Sequence, residues 1–270
     1  MDYQHILYEV EDRVATITLN RPKQHNALNA GMVADIMAGL AEADRDPEAR
    51  VVVVTGAGGA AFSAGYDMKE SAAKTDHSLG AWRKRIHHDL DFVLSAWDCS
   101  KPVIAAIDGY CLAGGFEFAM FCDVRYCSDV SSFACLEARF ASAVTEIMPW
   151  LIGQRSRALI YTGDRIDASE AYRLGLVDKV FPKATFEADV TKIAKRMSRV
   201  ALDFLKLNKH AINLSFEAMG FRNSLRHGAE LAAAMLVQGS PEGDHFNALR
   251  KTEGLAAALR WRDEQFAPYE

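Results

Sequence analysis

Two glycine-containing turns carry the residue types in this sequence that could do chemistry. Residues 61–68 (AFSAGYDM) follow an apolar run, and residues 108–117 (DGYCLAGGFE) lead from a predicted strand into a predicted helix. A helix N-terminus has N–H groups without partners and a partial positive charge, so Gly114 lies where an anionic oxygen would be stabilised. Glycine there also lets a ligand approach the backbone closely. Each turn alone is more typical of an ordinary loop, because glycine-rich turns are common.

The hydrophobic pattern predicts the elements that must position these turns. Alternating and wholly apolar runs predict a hairpin and three buried strands, at residues 6–10, 14–19, 51–54, 103–107 and 124–127, with 110–112 extended. Helical spacing predicts helices over 30–44, capped by Asn29, and over 79–97, 116–121, 148–161, 168–174, 186–197, 202–219 and 224–238. Strands alternating with helices, then a helical tail, indicate a layered α/β core with a C-terminal helical region.

Composition excludes several classes of partner. The chain has 270 residues, 50% of them hydrophobic, and a net charge of −5. No basic footprint predicts nucleic acid, and no apolar run of about 18 residues predicts a membrane helix. The first residues lack the pattern of a signal peptide, which leaves a cytoplasmic location as the expectation. We expect the five cysteines (Cys99, Cys111, Cys122, Cys127 and Cys135) to be reduced core thiols.

The two turns taken together, in this order and about 50 residues apart, resemble the crotonase (enoyl-CoA hydratase/isomerase) family. Other segments resemble it too: residues 19–22 (LNRP) with 26–29 (NALN), 122–125 (CDVR), 162–166 (TGDRI) and 175–177 (GLV). The resemblance therefore extends over nearly the whole chain.

The resemblance implies a fold, an assembly and an anion site. The fold is a spiral of ββα units, over residues 1–198, followed by a helical region at 199–270 that packs a homotrimer or homohexamer. The residue after Ala-Gly and the central glycine of the second turn, here Tyr66 and Gly114, would donate two backbone N–H groups to a thioester oxygen. Such donors stabilise the enolate that forms when charge moves onto that oxygen. The Tyr66 ring would shape the acyl pocket.

Two glutamates resemble the acid/base pair of the hydratases in this family. Glu117 lies in the first turn of an apolar helix, and Glu137 follows 20 residues later. By resemblance, Glu117 would deprotonate a water that attacks the β carbon, and Glu137 would give a proton to the α carbon. An apolar neighbourhood would raise the pKa of Glu117, which suits a general acid or base. A helix-dipole or surface role is the alternative for Glu117, and Glu146 is the competitor of Glu137.

Coenzyme A would be bound along the first loop and around the glycine turns. The resemblance implies these residues: Lys23, Gln24, His25, Ala27, Ala64, Asp67, Met68 and Gly115. Lys69 is a further candidate, and the charged side chains could also be simple surface charge. We expect no cofactor beyond the coenzyme A of the substrate and no metal, since the adjacent His87 and His88 would face apart on a helix. Residues 82–88 are expected to form a solvated helix face, with Trp82 and Ile86 toward the acyl pocket.

The resemblance thus implies a lyase that adds water syn across a 2-enoyl-CoA. The alternatives are a Δ3-Δ2-enoyl-CoA isomerase, another reaction of the family (thioester hydrolysis, decarboxylation or retro-aldol cleavage) and a non-catalytic acyl-CoA binder. The chain departs from the hydratase pattern after Glu137, where residues 138–150 replace a longer Gly/Pro-rich stretch. Pro149 and Trp150 are expected to pack near the floor of the acyl pocket.

Overall fold

A computed structural model describes residues 2–72, 76–139 and 147–269 of the chain. The larger sheet is built from β1 (Ile6–Glu11), β2 (Val14–Leu19), β3 (Val51–Gly56), β5 (Val103–Ile107), β7 (Val124–Ser128) and β10 (Lys179–Phe181). Its strands lie in the order β1-β2-β3-β5-β7-β10. The first pair is an antiparallel hairpin, and the other neighbours are parallel. The wholly buried Val51–Val54 run lies at the centre, as a strand covered on both faces must.

The smaller sheet contains β4 (Ala61–Ser63), β6 (Tyr110–Leu112), β8 (Ser132–Ala134) and β9 (Ile166–Asp167), in the order β4-β6-β8-β9. Strands β4, β6 and β8 each follow a strand of the larger sheet after a few residues. The chain therefore steps from one sheet to the other three times, and this repeated step builds the predicted spiral. Both glycine turns follow strands of the smaller sheet.

Helices cover the sheets and form the C-terminal region. They are α1 (Ala30–Arg45), α2 (Met68–Ala72), α3 (Leu79–Asp98), α4 (Gly114–Phe121), α5 (Met148–Ile152), α6 (Ser156–Thr162), α7 (Ala168–Leu174), α8 (Phe186–Met197), α9 (Leu202–Ala218), α10 (Phe221–Gln238), α11 (Pro241–Thr252) and α12 (Leu255–Phe266). Asn29 caps α1, because its side chain accepts a hydrogen bond from Met32 N. Among the described residues, no helix is both long and apolar enough to cross a membrane.

The sequence predicted one helix over residues 148–161, but the structure has two. A 3-10 turn at Gly153–Arg155 divides it into α5 and α6, and Gly153 has a positive φ of 56°. A residue at positive φ cannot continue a right-handed helix, so the apolar periodicity runs through a break. Helices α11 and α12 and the short strands β4, β8, β9 and β10 were not predicted, since their apolar patterns are short.

Aromatic stacking joins the helices to one another. Phe92 of α3 stacks on Phe118 of α4 with ring centroids 4.9 Å apart. Trp97, near the end of α3, stacks on Phe221 of α10 at 4.4 Å. Such aromatic pairs stabilise the fold by more than the burial of their apolar area alone would. Helix α3 therefore fixes the position of α4, and α10 is fixed on α3.

The five cysteines are unpaired and buried in the structure. Burial raises the pKa of the Cys99 thiol to about 11 and that of the Cys122 and Cys127 thiols to about 12. Thiols with such pKa values remain protonated at neutral pH and are poor nucleophiles. The sequence-based prediction of core thiols is confirmed.

A buried ion pair ties α9 to the start of β5. Lys209 Nζ donates to Asp123 Oδ2 at 2.7 Å and also to the carbonyl oxygens of Ala96 and Lys101. Asp123 Oδ2 in turn accepts from Val103 N at 2.7 Å. Burial raises the pKa of Asp123, and the Lys209 ammonium opposes that rise. The pair therefore holds one C-terminal helix against the strand that leads to the second glycine turn.

We predict that Lys209→Met lowers the free energy of unfolding by about 3 kcal/mol at pH 7, because it leaves the Asp123 carboxylate buried without its cation. A raised carboxyl pKa means that the native state holds its proton more tightly than the unfolded chain, so stability falls as pH rises. Removing Lys209 enlarges this effect. Urea unfolding should therefore show that Lys209→Met loses less free energy of unfolding at pH 5 than at pH 7.

Asn208→Met is the matched control, since Asn208 is an exposed neighbour on the same helix. It should change stability by less than about 0.5 kcal/mol. An equal loss in both variants, or a Lys209→Met loss that does not depend on pH, would contradict the role assigned to the ion pair.

Candidate functional site

The turn at Gly65 is held by the buried side chain of Asn26. Asn26 Nδ2 donates to Ala61 O at 2.8 Å and to Ala57 O at 3.0 Å. Ser63 Oγ donates to Asn26 O at 2.8 Å and accepts from Gly65 N at 3.2 Å. Because these groups are buried and paired, the turn has one stable geometry. Asn26 and Ser63 are positioning residues that the sequence analysis quoted only as parts of motifs.

A short parallel bridge orients the Tyr66 peptide. Leu28 N donates to Gly65 O at 2.8 Å, and Asp67 N donates to Leu28 O at 2.9 Å. The two bonds use the groups on either side of Tyr66, so its own N–H points away from the Leu28 strand. Within the described residues, the Tyr66 N–H donates no hydrogen bond.

The second donor stands at the start of α4. Gly114 is the first residue of that helix, and the preceding Ala113 has φ 48° and offers no side-chain cap. The Gly114 N–H therefore has no partner within its own helix and, among the described residues, none outside it. The helix dipole adds partial positive charge at this point.

The two turns touch. A Cβ atom added to Gly65 would lie 3.1 Å from Gly114 N and 2.7 Å from Ala113 Cβ. Gly65 also has a positive φ of 91°. Only glycine fits a position that combines this backbone conformation with this contact. The close approach brings the peptide that follows Gly65 near the first N–H of α4, the two positions that the sequence analysis predicted as donors.

The two glutamates follow a pair of hydrogen-bonded residues on neighbouring strands. Ala113 N donates to Ala134 O at 2.9 Å, which continues the β6–β8 pairing. Glu117 lies one helical turn after Ala113, and Glu137 lies in a 3-10 turn (Leu136–Arg139) just after Ala134. Both side chains are half-buried. The strand register therefore brings to one end of the smaller sheet two carboxyl groups that are 20 residues apart in the chain. Glu146 lies outside the described residues.

The Tyr66 side chain lies between the glycine and acidic parts of the site. A Cβ atom added to Gly114 would lie 2.5 Å from Tyr66 Cε2, so the ring covers Gly114. Burial raises the pKa of Tyr66 well above its usual value, and the carboxylates of Asp89, Glu117 and Glu137 raise it further. The charges of both glutamates therefore influence the same hydroxyl group.

The predicted coenzyme A residues form a loop beside the two turns. Lys23, Gln24 and His25 are exposed, on and just after a 3-10 turn (Pro22–Gln24). His25 O accepts from Ala64 N at 3.0 Å, and this bond joins the loop to the first glycine turn. Lys69 is exposed at the far side of the same turn.

Arg21 fixes the shape of this loop from within. Its guanidinium donates to Ala27 O and to Asp67 Oδ2, the latter at 3.0 Å. That pairing and the backbone N–H groups of Glu70 and Lys69 help to lower the pKa of Asp67 against the opposing effect of burial. Asp67 therefore holds the loop, while Met68 begins α2 and the buried Gly115 packs against Ser63.

Residues 82–88 are not the purely solvated face that the sequence predicted. Arg83 Nε donates to Glu230 Oε2 at 2.7 Å, and His87 Nε2 lies 2.9 Å from Glu230 Oε1, so both contact α10. Arg85 pairs with Asp89 at 4.0 Å. The sequence analysis missed Asp89 as a site residue, although its spacing of four from Arg85 was a signal for a pair on one helix face.

Residues 140–146 of the altered stretch after Glu137 lie outside the described residues. In the described remainder of the stretch, Pro149 is exposed, and its place near the pocket floor stays a prediction. Trp150 Nε1 donates to Ser224 Oγ at 3.1 Å, and the Trp150 ring packs edge-on against Phe221. Over residues 2–72, 76–139 and 147–269, no group of three or more His, Cys, Asp or Glu side chains could hold a metal ion.

The arrangement has a limited range of chemistry. Two adjacent N–H groups at a helix N-terminus can polarise a carbonyl and stabilise the anion that forms on its oxygen. Half-buried carboxyl groups such as those of Glu117 and Glu137 can exchange protons with carbon atoms near such a carbonyl. The site is therefore suited to reactions that pass through an enolate.

Comparisons with known proteins show which family the chain matches. Residues 9–239 match the sequence profile of the family described as Enoyl-CoA hydratase/isomerase. A crotonyl-CoA hydratase of Syntrophomonas wolfei is 30% identical, over 98% of this chain and 99% of that protein. A short-chain-enoyl-CoA hydratase of Clostridium acetobutylicum is 34% identical, over 79% of this chain and 82% of that protein.

A solved structure gives the same result for the fold. The crystal structure of an enoyl-CoA hydratase/isomerase from Xanthobacter autotrophicus Py2 superposes with a TM-score of 0.94 at 34% sequence identity. The match covers 98% of this chain and 99% of that one. The predicted α/β spiral with a C-terminal helical region is therefore confirmed.

Proposed function

This chain belongs to the enoyl-CoA hydratase/isomerase family, and from that membership we propose that it is an enoyl-CoA hydratase. It would add water across the double bond of a 2-enoyl-CoA to give the 3-hydroxyacyl-CoA. Named hydratases that align over nearly the full chain support this reaction.

The observation that carries the proposal is the contact between the two glycine turns. It leaves two N–H groups, those of Tyr66 and Gly114, adjacent and without acceptors among the described residues. A thioester oxygen bound between them becomes more negative as the enolate forms, and its hydrogen bonds then strengthen. One such donor typically contributes about 3 kcal/mol to the transition state.

The two glutamates supply the proton transfers. Glu117 takes a proton from water while the water oxygen forms its bond to the β carbon, and the π electrons move through the α carbon to the thioester oxygen. Glu137 then gives a proton to the α carbon, and the carbonyl re-forms. After one turnover Glu117 has gained one proton and Glu137 has lost one. Proton exchange with solvent returns both glutamates to their starting states before the next turnover.

Coenzyme A would lie along the exposed loop of Lys23, Gln24 and His25. This loop is joined to the oxyanion turn by the bond from Ala64 N to His25 O, so a nucleotide bound there delivers its thioester to the two N–H groups. The exposed Lys23 and Lys69 could pair with its phosphates.

The number of acidic groups favours hydration over the double-bond isomerisation that the family name also includes. Moving a double bond needs one group that takes and returns a proton, whereas adding water needs a group for each side of the double bond. The influence of both Glu117 and Glu137 on the pKa of the Tyr66 hydroxyl supports this choice.

Product analysis with crotonyl-CoA tests the function. We expect loss of the conjugated enoyl absorbance and formation of 3-hydroxybutyryl-CoA. Released coenzyme A or an isomerised thioester from a suitable substrate, with no hydration of any enoyl-CoA, would contradict the hydratase proposal.

We predict that Glu117→Gln and Glu137→Gln each lower kcat by roughly 10²- to 10⁴-fold, because each removes one general acid or base. Binding of the product thioester, measured by calorimetry, should survive, which separates an enzyme from an acyl-CoA binder. Glu187→Gln, at an exposed position on α8, is the matched control and should keep full turnover. Unchanged kcat in both site variants would rule out the assigned roles.

We predict that Gly114→Ala lowers kcat by roughly 10²-fold or more, because its new Cβ would lie 2.5 Å from Tyr66 Cε2 and displace the ring and the N–H beside it. Gly80→Ala is the control, since a Cβ there meets nothing closer than 4.0 Å. The double variant Gly114→Ala, Tyr66→Ala removes the clash and should recover part of the loss. No recovery would argue against this cause.

We further propose a homotrimer or homohexamer assembled through the C-terminal helices. Helices α9 and α10 and the turn between them carry exposed apolar side chains: Phe204, Leu207, Ile212, Leu214, Met219, Leu231, Met235 and Val237. Phe204, Leu207 and Leu214 lie on one face of α9 by helical spacing. An apolar face of this extent is typical of a subunit interface.

We predict that Leu231→Arg shifts the protein to a smaller species in gel filtration, because it places a charge in that interface. Leu231 is 72% exposed in the single chain. The control is Leu7→Arg, an exposed leucine on β1 that is remote from the C-terminal helices in sequence and should not change the elution volume. A wild-type protein that elutes as a monomer would end this proposal.

A further inference from the structure

The hydroxyl group of Tyr66 has no role in the chemistry assigned above. Only the backbone N–H of this residue belongs to the oxyanion site. Its hydroxyl oxygen is nevertheless buried and has no hydrogen-bond partner within residues 2–72, 76–139 and 147–269. A buried polar group without a partner is costly, and a ligand atom that pairs with this hydroxyl would remove that cost.

The ring geometry directs this hydroxyl along the acyl site. The ring lies against Gly114, since a Cβ atom there would be 2.5 Å from Tyr66 Cε2 and 2.6 Å from Cδ2. The Tyr66 N–H and the hydroxyl stand at opposite ends of the same residue. An acyl chain that runs along the ring from a thioester oxygen at this N–H would reach the hydroxyl.

Helix α3 supplies polar groups at the same place. Arg85, Asp89 and Phe92 are spaced by four and three residues and so share one helix face. That face packs on α4, because Phe92 stacks on Phe118, the residue after Glu117. Arg85 and Asp89 are 22% and 24% exposed and form an ion pair at 4.0 Å.

The charges around the Tyr66 hydroxyl determine its protonation state and which ligand charges it can accept. Besides burial, the carboxylates of Asp89, Glu117 and Glu137 raise the pKa of Tyr66, and the Arg85 guanidinium opposes them. The phenol therefore stays protonated and can donate a hydrogen bond. In the proposed mechanism Glu137 is protonated before turnover, so the carboxylates of Asp89 and Glu117 remain against one guanidinium, and this excess of negative charge is unfavourable for an anionic acyl group.

We propose that the Tyr66 hydroxyl and Asp89 select acyl groups that carry a neutral hydroxyl group beyond the β carbon. Tyr66 donates to the oxygen of that alcohol, and the alcohol donates to the Asp89 carboxylate. This substrate class refines the hydratase activity proposed above and rests on it.

Hydrogen-bonding capacity explains why an alcohol fits better than a hydrocarbon. A hydroxyl both accepts and donates, so it satisfies the phenol and the carboxylate with one atom. A methyl group at the same point leaves the buried phenol unpaired. Sites built to bind a substrate hydroxyl reject the analogue that lacks it far more strongly than apolar pockets reject one extra methylene.

Matched substrates test the selectivity. Pent-2-enoyl-CoA and 4-hydroxybut-2-enoyl-CoA differ by a methyl against a hydroxyl, and hex-2-enoyl-CoA and 5-hydroxypent-2-enoyl-CoA form the same comparison one carbon further out. We expect wild-type kcat/KM to favour the hydroxylated member of at least one pair by roughly 10- to 100-fold, mainly through KM.

Two variants assign that preference to one oxygen atom. Tyr66→Phe keeps the ring over Gly114 and the backbone N–H, and we expect it to bring the ratio of kcat/KM within the pair close to one. Tyr8→Phe is the matched control, because the Tyr8 hydroxyl is also buried without a partner among the described residues but is influenced by Asp46, Glu42 and Cys99 instead. It should leave the ratio unchanged.

Binding of unreactive analogues separates this proposal from the proposed function. Calorimetry with pentanoyl-CoA and 4-hydroxybutanoyl-CoA should show the same preference in wild type and its loss in Tyr66→Phe, whatever reaction the enzyme performs. Hydration without any preference in wild type would overturn the selectivity proposal and leave the hydratase intact. An equal loss of kcat/KM for both members of a pair in Tyr66→Phe would also overturn the selectivity proposal. The hydroxyl would then act in the reaction that both substrates undergo.

Discussion

The site depends on the contact between two turns that leaves no room for a side chain at Gly65. That contact brings the peptide after Gly65 beside the first N–H of α4. Everything else supports it: Asn26 and Ser63 hold one turn, the β6–β8 pairing holds the other, and the Phe92–Phe118 stack fixes α4 in place. Contacts within the protein thus fix the positions of both turns, as the preorganised donors of the proposed function require.

Much of this could be predicted because the informative residues are local in sequence. Apolar strands, the Asn29 cap and the glycine turns each have a signal within about ten residues. The order of the motifs then indicated the family, and with it the spiral fold and the pairing of distant glutamates. The geometry that joins Glu117 to Glu137 is not in their spacing; it comes from the Ala113–Ala134 hydrogen bond.

What could not be predicted arises from contacts between distant segments. The bonds from Arg83 and His87 to Glu230 depend on how α10 docks on α3, and periodicity cannot show which helix is the neighbour. The break at Gly153 follows from one backbone angle inside an apolar pattern that continues through it. Pro149 is apolar by type, yet it is exposed, because packing rather than residue type decides burial.

Using main-chain rather than side-chain donors also affects how the protein can evolve or be redesigned. A substitution at position 66 replaces the ring and hydroxyl but keeps the N–H, provided that the Gly65 turn and the Leu28 bridge remain. The proposed carbonyl activation by this N–H should therefore tolerate substitution of the Tyr66 side chain, which forms part of the pocket wall. Single substitutions at position 66 are expected to change the preference for acyl groups while the enzyme keeps its N–H donor and its activity.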